Sequence, residues 1–320
     1  MFSRVVRPQE ALIGRCIRKH GVPESLRCSA AMFSVHSSAP RPRQGEDVNL
    51  QEDADLSGNS SSSSPEGLKA FRDVVTSRTT AFSFSDKEVD PAALREIMAL
   101  TQSAPSSFNI QPWSVVVVRD TALRERLSTA MLGGNAKKVL AAPVTAVFCA
   151  DLEPSKRINR MVELNRKAGM PEAEITKFCL AVNLFSGEGV VGNAVRNAVT
   201  TIASPMQPAP EVASAEAWSF KNTALAVQTY ILSCTAHGLD TAPMEGFDAR
   251  RVRAALDIPG RYGIPIIVPT GYPAPSKPEG QGGGGGGGGG VARRWRYPPQ
   301  EVVFDGTFGV GMTGVDPVVP

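Results

Sequence analysis

The sequence predicts a single α/β or α+β domain behind a basic leader and a polar linker. Three observations carry that expectation. The 320 residues are 42% hydrophobic and 20% charged, ordinary globular composition with enough apolar material for one large domain or two small ones. Short β-branched runs, SVVVVR at 114–119 and VTAVFCA at 144–150, read as buried strands. Helical segments alternate with such strands along the body of the chain.

The leader comes first. Residues 1–43 carry Arg4, Arg7, Arg15, Arg18, Lys19, Arg27, Arg41 and Arg43 against Glu10 and Glu24, a net charge of +6. The whole chain is +3, so the remainder is −3. Projected as a helix, Phe2, Val5, Val6, Leu12, Ile13, Cys16 and Ile17 share one side, opposite Arg4, Arg7, Arg15, Arg18 and Lys19. An amphipathic, arginine-rich, acid-poor start without an unbroken apolar core is the pattern of an organelle transit peptide, not of a secretory signal. Arginine from residue 4 onward and little early serine favour a mitochondrion; plastid and cytoplasm are the alternatives. Residues 44–67 are polar and acidic, then serine-rich from Ser60 to Ser64, and read as a disordered linker.

In the body, 68–77 reads as a short helix. A second runs from Pro91, at its first turn, to about Ser103, with Asp90 as N-cap. The strand at 114–119 precedes a helix over 122–131, and the strand at 144–150 follows. Pro171 opens a helix toward Phe185, and the Pro/Ala/Ser-rich stretch 203–213 reads as loop. Residues 215–237 form a long helix, apolar over most of its surface and so central. IPIIVPTG at 264–271 is a further strand. Gly282–Gly290, within a flexible insertion at 280–290, is a spacer. After it come a basic aromatic segment, ARRWRYPP, and the strand-like EVVF; residues 310–320 form a tail.

Several function classes are excluded. A mildly acidic body does not suit nucleic acid, which needs a basic face. No apolar run approaches the ~18 residues of a membrane span. Five cysteines are scattered with no CxxC pair, which suits a reducing compartment with no disulfide framework, and no metal is expected. Of three histidines only His237 lies in the body, at a helix end before Gly238, where a C-terminal histidine is the simple reading. GEGVVG matches G-x-G-x-x-G at Gly187, Gly189 and Gly192. A dinucleotide fingerprint requires a preceding strand and a following helix. Here the preceding residues look helical and the following ones run toward the proline-rich loop, so the expectation is a helix stop and a flexible insertion.

The informative stretch is APSSFNIQPW, 104–113, short polar groups between a helix and a run of valines. With SRTTAFSFSDKEV (77–89), NAKKVLAAPVTAVFCA (135–150) and APMEGFD (242–248), it offers hydroxyls, amides, cations and exposed backbone beside buried elements. Together these suit a phosphorylated ring cofactor, with Arg78 and the basic C-terminal segment holding the phosphate by charge-assisted bonds.

Over residues 68–309 the chain resembles the FMN-dependent nitroreductases. PSSFNIQPW is similar to that family's P-S-S-x-N-x-Q-P-W. SRTT followed by Phe84 resembles its R-x-S-x-R/K-x-F opening, NAKK its N-x-x-K segment, GLDTAPMEGFD its G-L-x-x-x-P-x-x-G-F-D turn, and RWRYPPQEVV its C-terminal arginine segment. The resemblance implies an α+β fold with a central, mainly antiparallel sheet, flanking helices and a long central helix, in an intertwined homodimer with FMN at the interface. It places Arg78, Thr79 and Thr80 at the phosphate and ribityl end. Ser106, Ser107 and Asn109 would reach FMN from the neighbouring subunit, and Asn135 and Lys138 would meet the pyrimidine edge. Pro243, Met244, Glu245 and Gly246 would line the ring, Asn222 is a further candidate, and Arg294 and Arg296 would close on the phosphate. Trp113 would anchor its loop to the core. The family's second basic residue in the opening motif falls on Phe82 here, and the glycine run is not a family feature.

The implied activity is NAD(P)H oxidation by ping-pong hydride transfer to nitroaromatics, quinones or similar electron-poor acceptors, with Lys138 and Glu245 as the chemical side chains. The alternatives are a reductive dehalogenase or flavin-fragmenting enzyme of the same superfamily, with 155–213 as its lid, a flavin-binding sensor or reservoir without turnover, and a dehydrogenase using the Gly187 motif.

Overall fold

VTAVFCAD is apolar on both faces because it is covered on both. The computed structural model describes residues 65–275 and 296–317. It places this segment as β2 (Val144–Asp151), buried at all eight positions. The other strands are β1 (Trp113–Val118), β3 (Asp240–Thr241) and β4 (Tyr262–Gly271). Their order is β1-β2-β4-β3, and every neighbouring pair is antiparallel. The register sets Trp113 opposite Ala150 and Val118 opposite Thr145, and sets Val144 opposite Thr270 and Asp151 opposite Tyr262.

Side chains alternate across the strand, so β2 feeds two cores. Val144, Ala146 and Phe148 pack with Leu94, Ile97, Ala226 and Tyr230, and Trp113 packs against that cluster. Val147 and Cys149 pack on the other face with Leu127, Val139, Val252 and Ile267. The helices that supply these residues start where the sequence signals them. In α2 (Pro91–Gln102), Asp90 Oδ1 accepts from Ala92 N, and in α3 (Thr121–Ser128), Asp120 Oδ1 accepts from Leu123 N. The short α4 (Asn135–Ala141) and α9 (Ala249–Leu256), capped by Asp248, complete this side. The longest helix, α8 (Ala215–Ala236), lies along the sheet. Two buried bonds hold it there, Ser219 Oγ to Asp151 O at 2.6 Å and Tyr230 Oη to Thr270 Oγ1 at 2.8 Å. Tyr230 and Ser219 thus mark opposite ends of the sheet.

At its C-terminus His237 rests Nδ1 on Ser233 O at 2.8 Å and Nε2 near Glu96 Oε2 at 3.3 Å. The bond to Ser233 O, followed by Glu96, raises the imidazole pKa above its ordinary value. A raised folded pKa stabilises the fold fully below the unfolded value, about 6.5, and loses that contribution as pH rises through the folded value. The thermal midpoint difference between the wild-type chain and His237→Gln is therefore expected to be larger at pH 6 than at pH 8.5. An equal difference at both pH values would remove the histidine from the pH dependence.

Four expectations change. A helix begins within the glycine motif, α7 (Val190–Ala203), where a flexible insertion was expected. Its polar side chains turn inward onto backbone: Asn193 Nδ2 donates to Ala213 O, Asn197 exchanges bonds with Val212, and Thr200 Oγ1 donates to Pro210 O. Val195, Val199 and Ile202 face out, so an apolar-inward pattern could not reveal this helix. Secondly, α5 (Ile158–Lys167) is added between β2 and α6 (Glu172–Phe185). Thirdly, the strand-like EVVF enters a short helix, α10 (Pro299–Val302), set by Pro299 in its first turn, and only Phe304 makes a β-bridge, with Gly311. Lastly, α1 (Pro65–Ser77) begins inside the segment read as linker. The leader and the glycine run lie outside the described residues.

One charged cluster is part of the frame. Asp151 is fully buried at the end of β2, and its Oδ2 takes Arg157 Nε at 2.7 Å and Arg261 Nη2 at 3.1 Å. Oδ1 accepts from Glu153 N, and the backbone N of Asp151 donates to Pro112 O at 2.8 Å. This aspartate therefore ties β2, β4, α8 and the 104–112 loop at one corner.

Candidate active site

The expected site residues fall into two groups. The first is built around the turn after β3. Here Met244 pairs with Ile267 at the edge of β4, with N–H to O bonds of 2.9 and 3.1 Å in the two directions. The chain then turns at Glu245 and Gly246. Gly246 O accepts from Leu132 N at 3.0 Å and from Asn135 Nδ2 at 3.0 Å. A Cβ on Gly246 would sit 2.7 Å from Asn135 Nδ2, so glycine is needed for this approach. Asn135 Oδ1 in turn accepts from Lys138 Nζ at 3.3 Å. The Lys138 ammonium lies over the Phe82 ring, 5.1 Å from its centroid, within cation–π range.

Phe82 belongs to the arm between α1 and α2. Thr80 bridges Thr241 in parallel, and Ala81 N donates to Thr241 O at 2.9 Å. Arg78, Thr79 and Thr80 are half-buried on this arm. The arm, α4 and the Met244–Gly246 turn thus come together from three parts of the sequence. Pro243 is half-buried beside them and Glu245 is exposed. The hydrogen bonds that fix the turn use both backbone groups of Met244 and the carbonyls of Glu245 and Gly246, so among the described residues the N–H groups of Glu245 and Gly246 are left for a ligand.

The second group is the 104–112 loop. Phe108, Asn109 and Gln111 have φ of 56°, 51° and 48°, three non-glycine residues in the left-handed region. Each such residue costs about 1–3 kcal/mol and persists only where its surroundings over-determine it. Those surroundings are visible. Ser107 N donates to Asn222 Oδ1 at 2.7 Å, while Asn222 Nδ2 donates to Trp218 O. Ser106 Oγ accepts from Gln111 N at 2.9 Å, and Gln111 Nε2 donates to Asn109 Oδ1 at 3.1 Å. The Phe108 ring stacks at 5.9 Å on Phe185. Asn222 is buried with both ends of its amide engaged, so it holds the loop on α8.

The arm and the end of the loop meet the sheet at opposite ends, with the Met244 turn between them at Ile267. The arm meets the sheet where Thr241 pairs with Thr270, whereas the loop ends where Pro112 O meets Asp151, opposite Tyr262. Eight residues of β4 separate those levels, roughly 25 Å at the usual rise of a strand. Arg296 is exposed at the start of the 296–317 segment, and Arg294 lies outside the described residues.

The donor set of the first group is cationic, hydroxyl and amide: Arg78, Thr79, Thr80, Asn135, Lys138 and the free N–H groups of the turn. Such a set fits a phosphorylated polar heterocycle, with phosphate at the arm and a negatively charged ring edge at Lys138. No cluster of three or more histidine, cysteine, aspartate or glutamate side chains suited to a metal occurs among the described residues. No helix among them is long and apolar enough to cross a membrane. GEGVVG lacks the geometry of a dinucleotide fingerprint, because helix α6 and not a strand precedes it. Its glycines have local reasons: Gly187 has φ 72°, and a Cβ there would run into the backbone of Ala213–Ala215.

Sequence reasoning missed two residues that matter here. Phe82 entered only as a lost basic residue, and its role as a platform for Lys138 needs the arm and α4 side by side. Asp151 lay just past the expected strand at 144–150 and was not singled out. A carboxylate closing an apolar run was the available signal, but its arginines lie 6 and 110 residues away.

Comparison with known proteins shows the family and the fold. Residues 75–272 match the Nitroreductase family. The chain is 31% identical over 187 residues to an NADH dehydrogenase of Thermus thermophilus, covering 58% of this chain and 78% of that protein. Among solved structures, a nitroreductase family protein from Streptococcus pneumoniae superposes with a TM-score of 0.55 at 21% identity, over 73% of this chain and 99% of that one, which shows the shared fold. An FMN-dependent nitroreductase from Clostridium difficile aligns over 64% of this chain and 88% of its own at 18% identity and a TM-score of 0.40; FMN dependence is a property of that protein.

Proposed function

The chain belongs to the nitroreductase family, and from that premise we propose that it is an FMN-dependent NAD(P)H oxidoreductase acting on nitroaromatics, quinones or similar electron-poor acceptors. The observation that carries the reading is the bonded series Gly246–Asn135–Lys138, set against the Arg78–Thr80 arm. Bound FMN would supply the hydride chemistry, taking hydride from NAD(P)H and passing it to an acceptor that uses the same site in turn. The protein's own side chains bind, orient and polarise. Arg78 holds the phosphate by charge-assisted bonds, with the Thr79 and Thr80 hydroxyls along the ribityl chain and Arg294 and Arg296 closing from the C-terminal segment. Lys138, fixed by Asn135, stabilises negative charge that develops at the pyrimidine edge. The N–H groups of Glu245 and Gly246 point the turn's donors at the ring, where backbone matters more than the Glu245 carboxylate.

Ser106, Ser107 and Asn109 would complete the site from a second copy of the chain. The separation of the arm from the loop's end along β4 supports that arrangement, because a phosphate held at Arg78–Thr80 would lie far from the Pro112 end of the loop in its own protomer. Exposed Leu68, Phe71 and Val75 on α1 offer apolar surface for such a pairing. Complementation tests it. Arg78→Ala damages the arm, and Asn109→Gly deletes the loop amide while suiting its φ of 51°. Mixed dimers of the two variants are expected to regain one intact FMN site per dimer. If mixing restores no FMN binding beyond that of the separate variants, each site is built from one chain.

The function itself is tested by the visible spectrum of the purified chain before and after anaerobic NADH, then NADPH. A flavin spectrum that bleaches with either donor is expected. A chain that stays colourless after incubation with FMN would overturn the reading. Mitochondrial delivery by residues 1–43 is part of the same proposal, and a fluorescent fusion of that segment would reveal it.

A further inference from the structure

We infer that Phe82 is a positioning residue for Lys138: its ring is a platform that, with Asn135, fixes the ammonium where the cofactor's ring edge would lie. The inference rests on the flavin reading above and deepens it.

Three observations support it. The Lys138 Nζ stands 5.1 Å from the Phe82 centroid and 3.3 Å from Asn135 Oδ1, so the ammonium is held on two sides by unlike partners. Phe82 is 49% exposed, so the face of its ring is accessible to the ammonium. The backbone on either side is fixed, through the Thr80–Thr241 bridge and the Phe84–Pro273 bridge, so the ring stands on a rigid arm.

The chemistry follows from charge. A basic side chain at position 82 would bring a second cation within about the same distance of Lys138 Nζ, and like charges that close disfavour each other's charged form. A phenyl face does the opposite, because its negative quadrupole attracts the ammonium without competing for the anion. The exchange therefore gives up a phosphate contact at the arm and gains a single, well-placed cation near the ring edge. Phosphate binding then falls more heavily on Arg78 and the C-terminal arginines, while the electrostatic role concentrates on Lys138.

The test uses the full chain with Phe82→Leu, which keeps an apolar side chain and removes the ring, and Phe82→Tyr, which keeps the ring. Two readouts are needed. The first is NMR of the chain with 13C-labelled lysine, with and without added FMN. The Lys138 Cε resonance, assigned from its loss in Lys138→Arg, is expected to carry a ring-current shift that persists in Phe82→Tyr and vanishes in Phe82→Leu. The second is the reduction potential of bound FMN, read as the ratio of affinities for its reduced and oxidised forms. That ratio is expected to fall about two- to five-fold in Phe82→Leu, the range of an exposed cation–π contact, and to stay at the wild-type value in Phe82→Tyr.

The thermal midpoint serves as control, since a merely structural role would lower it without moving the Lys138 resonance. A wild-type Lys138 resonance with no ring-current shift overturns the inference. So does a Phe82→Leu potential equal to wild type while Lys138→Ala shifts it, an outcome that leaves the flavin reading intact. If Lys138→Ala moves neither potential nor rate, the flavin role of Lys138 fails first and the inference goes with it.

Discussion

The Lys138→Ala chain is expected to accept hydride from NAD(P)H about a hundredfold more slowly, the usual loss when one preorganised electrostatic donor is removed from an active site. Its FMN dissociation constant is expected to change far less, because the proposed phosphate and ribityl contacts are with Arg78, Thr79 and Thr80. The difference arises from where charge changes. Phosphate carries the same charge before and after hydride transfer, so groups that bind it contribute equally to both states. Negative charge at the ring edge develops only as the transfer proceeds, and Lys138 is the cation that Asn135 and Phe82 hold in this group. Stopped-flow bleaching under anaerobic conditions separates the two effects. Equal bleaching rates in the variant and wild type would mean that Lys138 has no electrostatic part in the step.

Replacing Asp151 by alanine is expected to cost about 3–5 kcal/mol of stability, because it leaves two guanidinium groups facing a corner without their carboxylate. For a domain of this size that corresponds to a fall in thermal midpoint on the order of 10 °C. The same change removes the acceptor of Glu153 N and loosens the junction where Pro112 O meets the Asp151 backbone. On the proposed two-chain site, FMN binding is therefore expected to weaken together with stability, although no atom of Asp151 is placed near the cofactor. Asp151→Asn keeps the shape and one acceptor, and should lose less. A thermal scan in which Asp151→Ala melts within a degree or two of wild type would show that the cluster adds little beyond charge pairing at the surface.

Much of the domain was legible because local rules and burial agree there. Asp90 and Pro91 announce α2, Asp120 announces α3, and Ser114–Val118 and Val144–Ala150 announce the strands, each by chemistry confined to a few residues. Helix α8 was legible from its apolar circumference, since a helix buried on nearly every side has no polar face. Helix α7 was hidden for the opposite reason. Asn193, Asn197 and Thr200 bond inward to the 210–213 backbone while Val195 and Val199 face out, so the pattern resembled a loop-bound insertion.

Composition, spacing and caps therefore determined by themselves that residues beyond 65 form an α and β body and that residues 1–43 are basic, and the chain's motifs named the residue types that the resemblance brings to one chemistry. Only the tertiary structure decided which of those residues share a place. It joined Gly246, Asn135, Lys138 and Phe82, which come from three distant segments, and it held Ser106–Asn109 on α8 through Asn222. It also made Asp151 the corner of the frame. Local signals act over one or two turns of backbone, whereas a site is made by contacts between segments more than 50 residues apart. Those contacts are settled by the register of β2 on β4 and by the bonds that hold α8 along the sheet, which no single stretch of sequence contains.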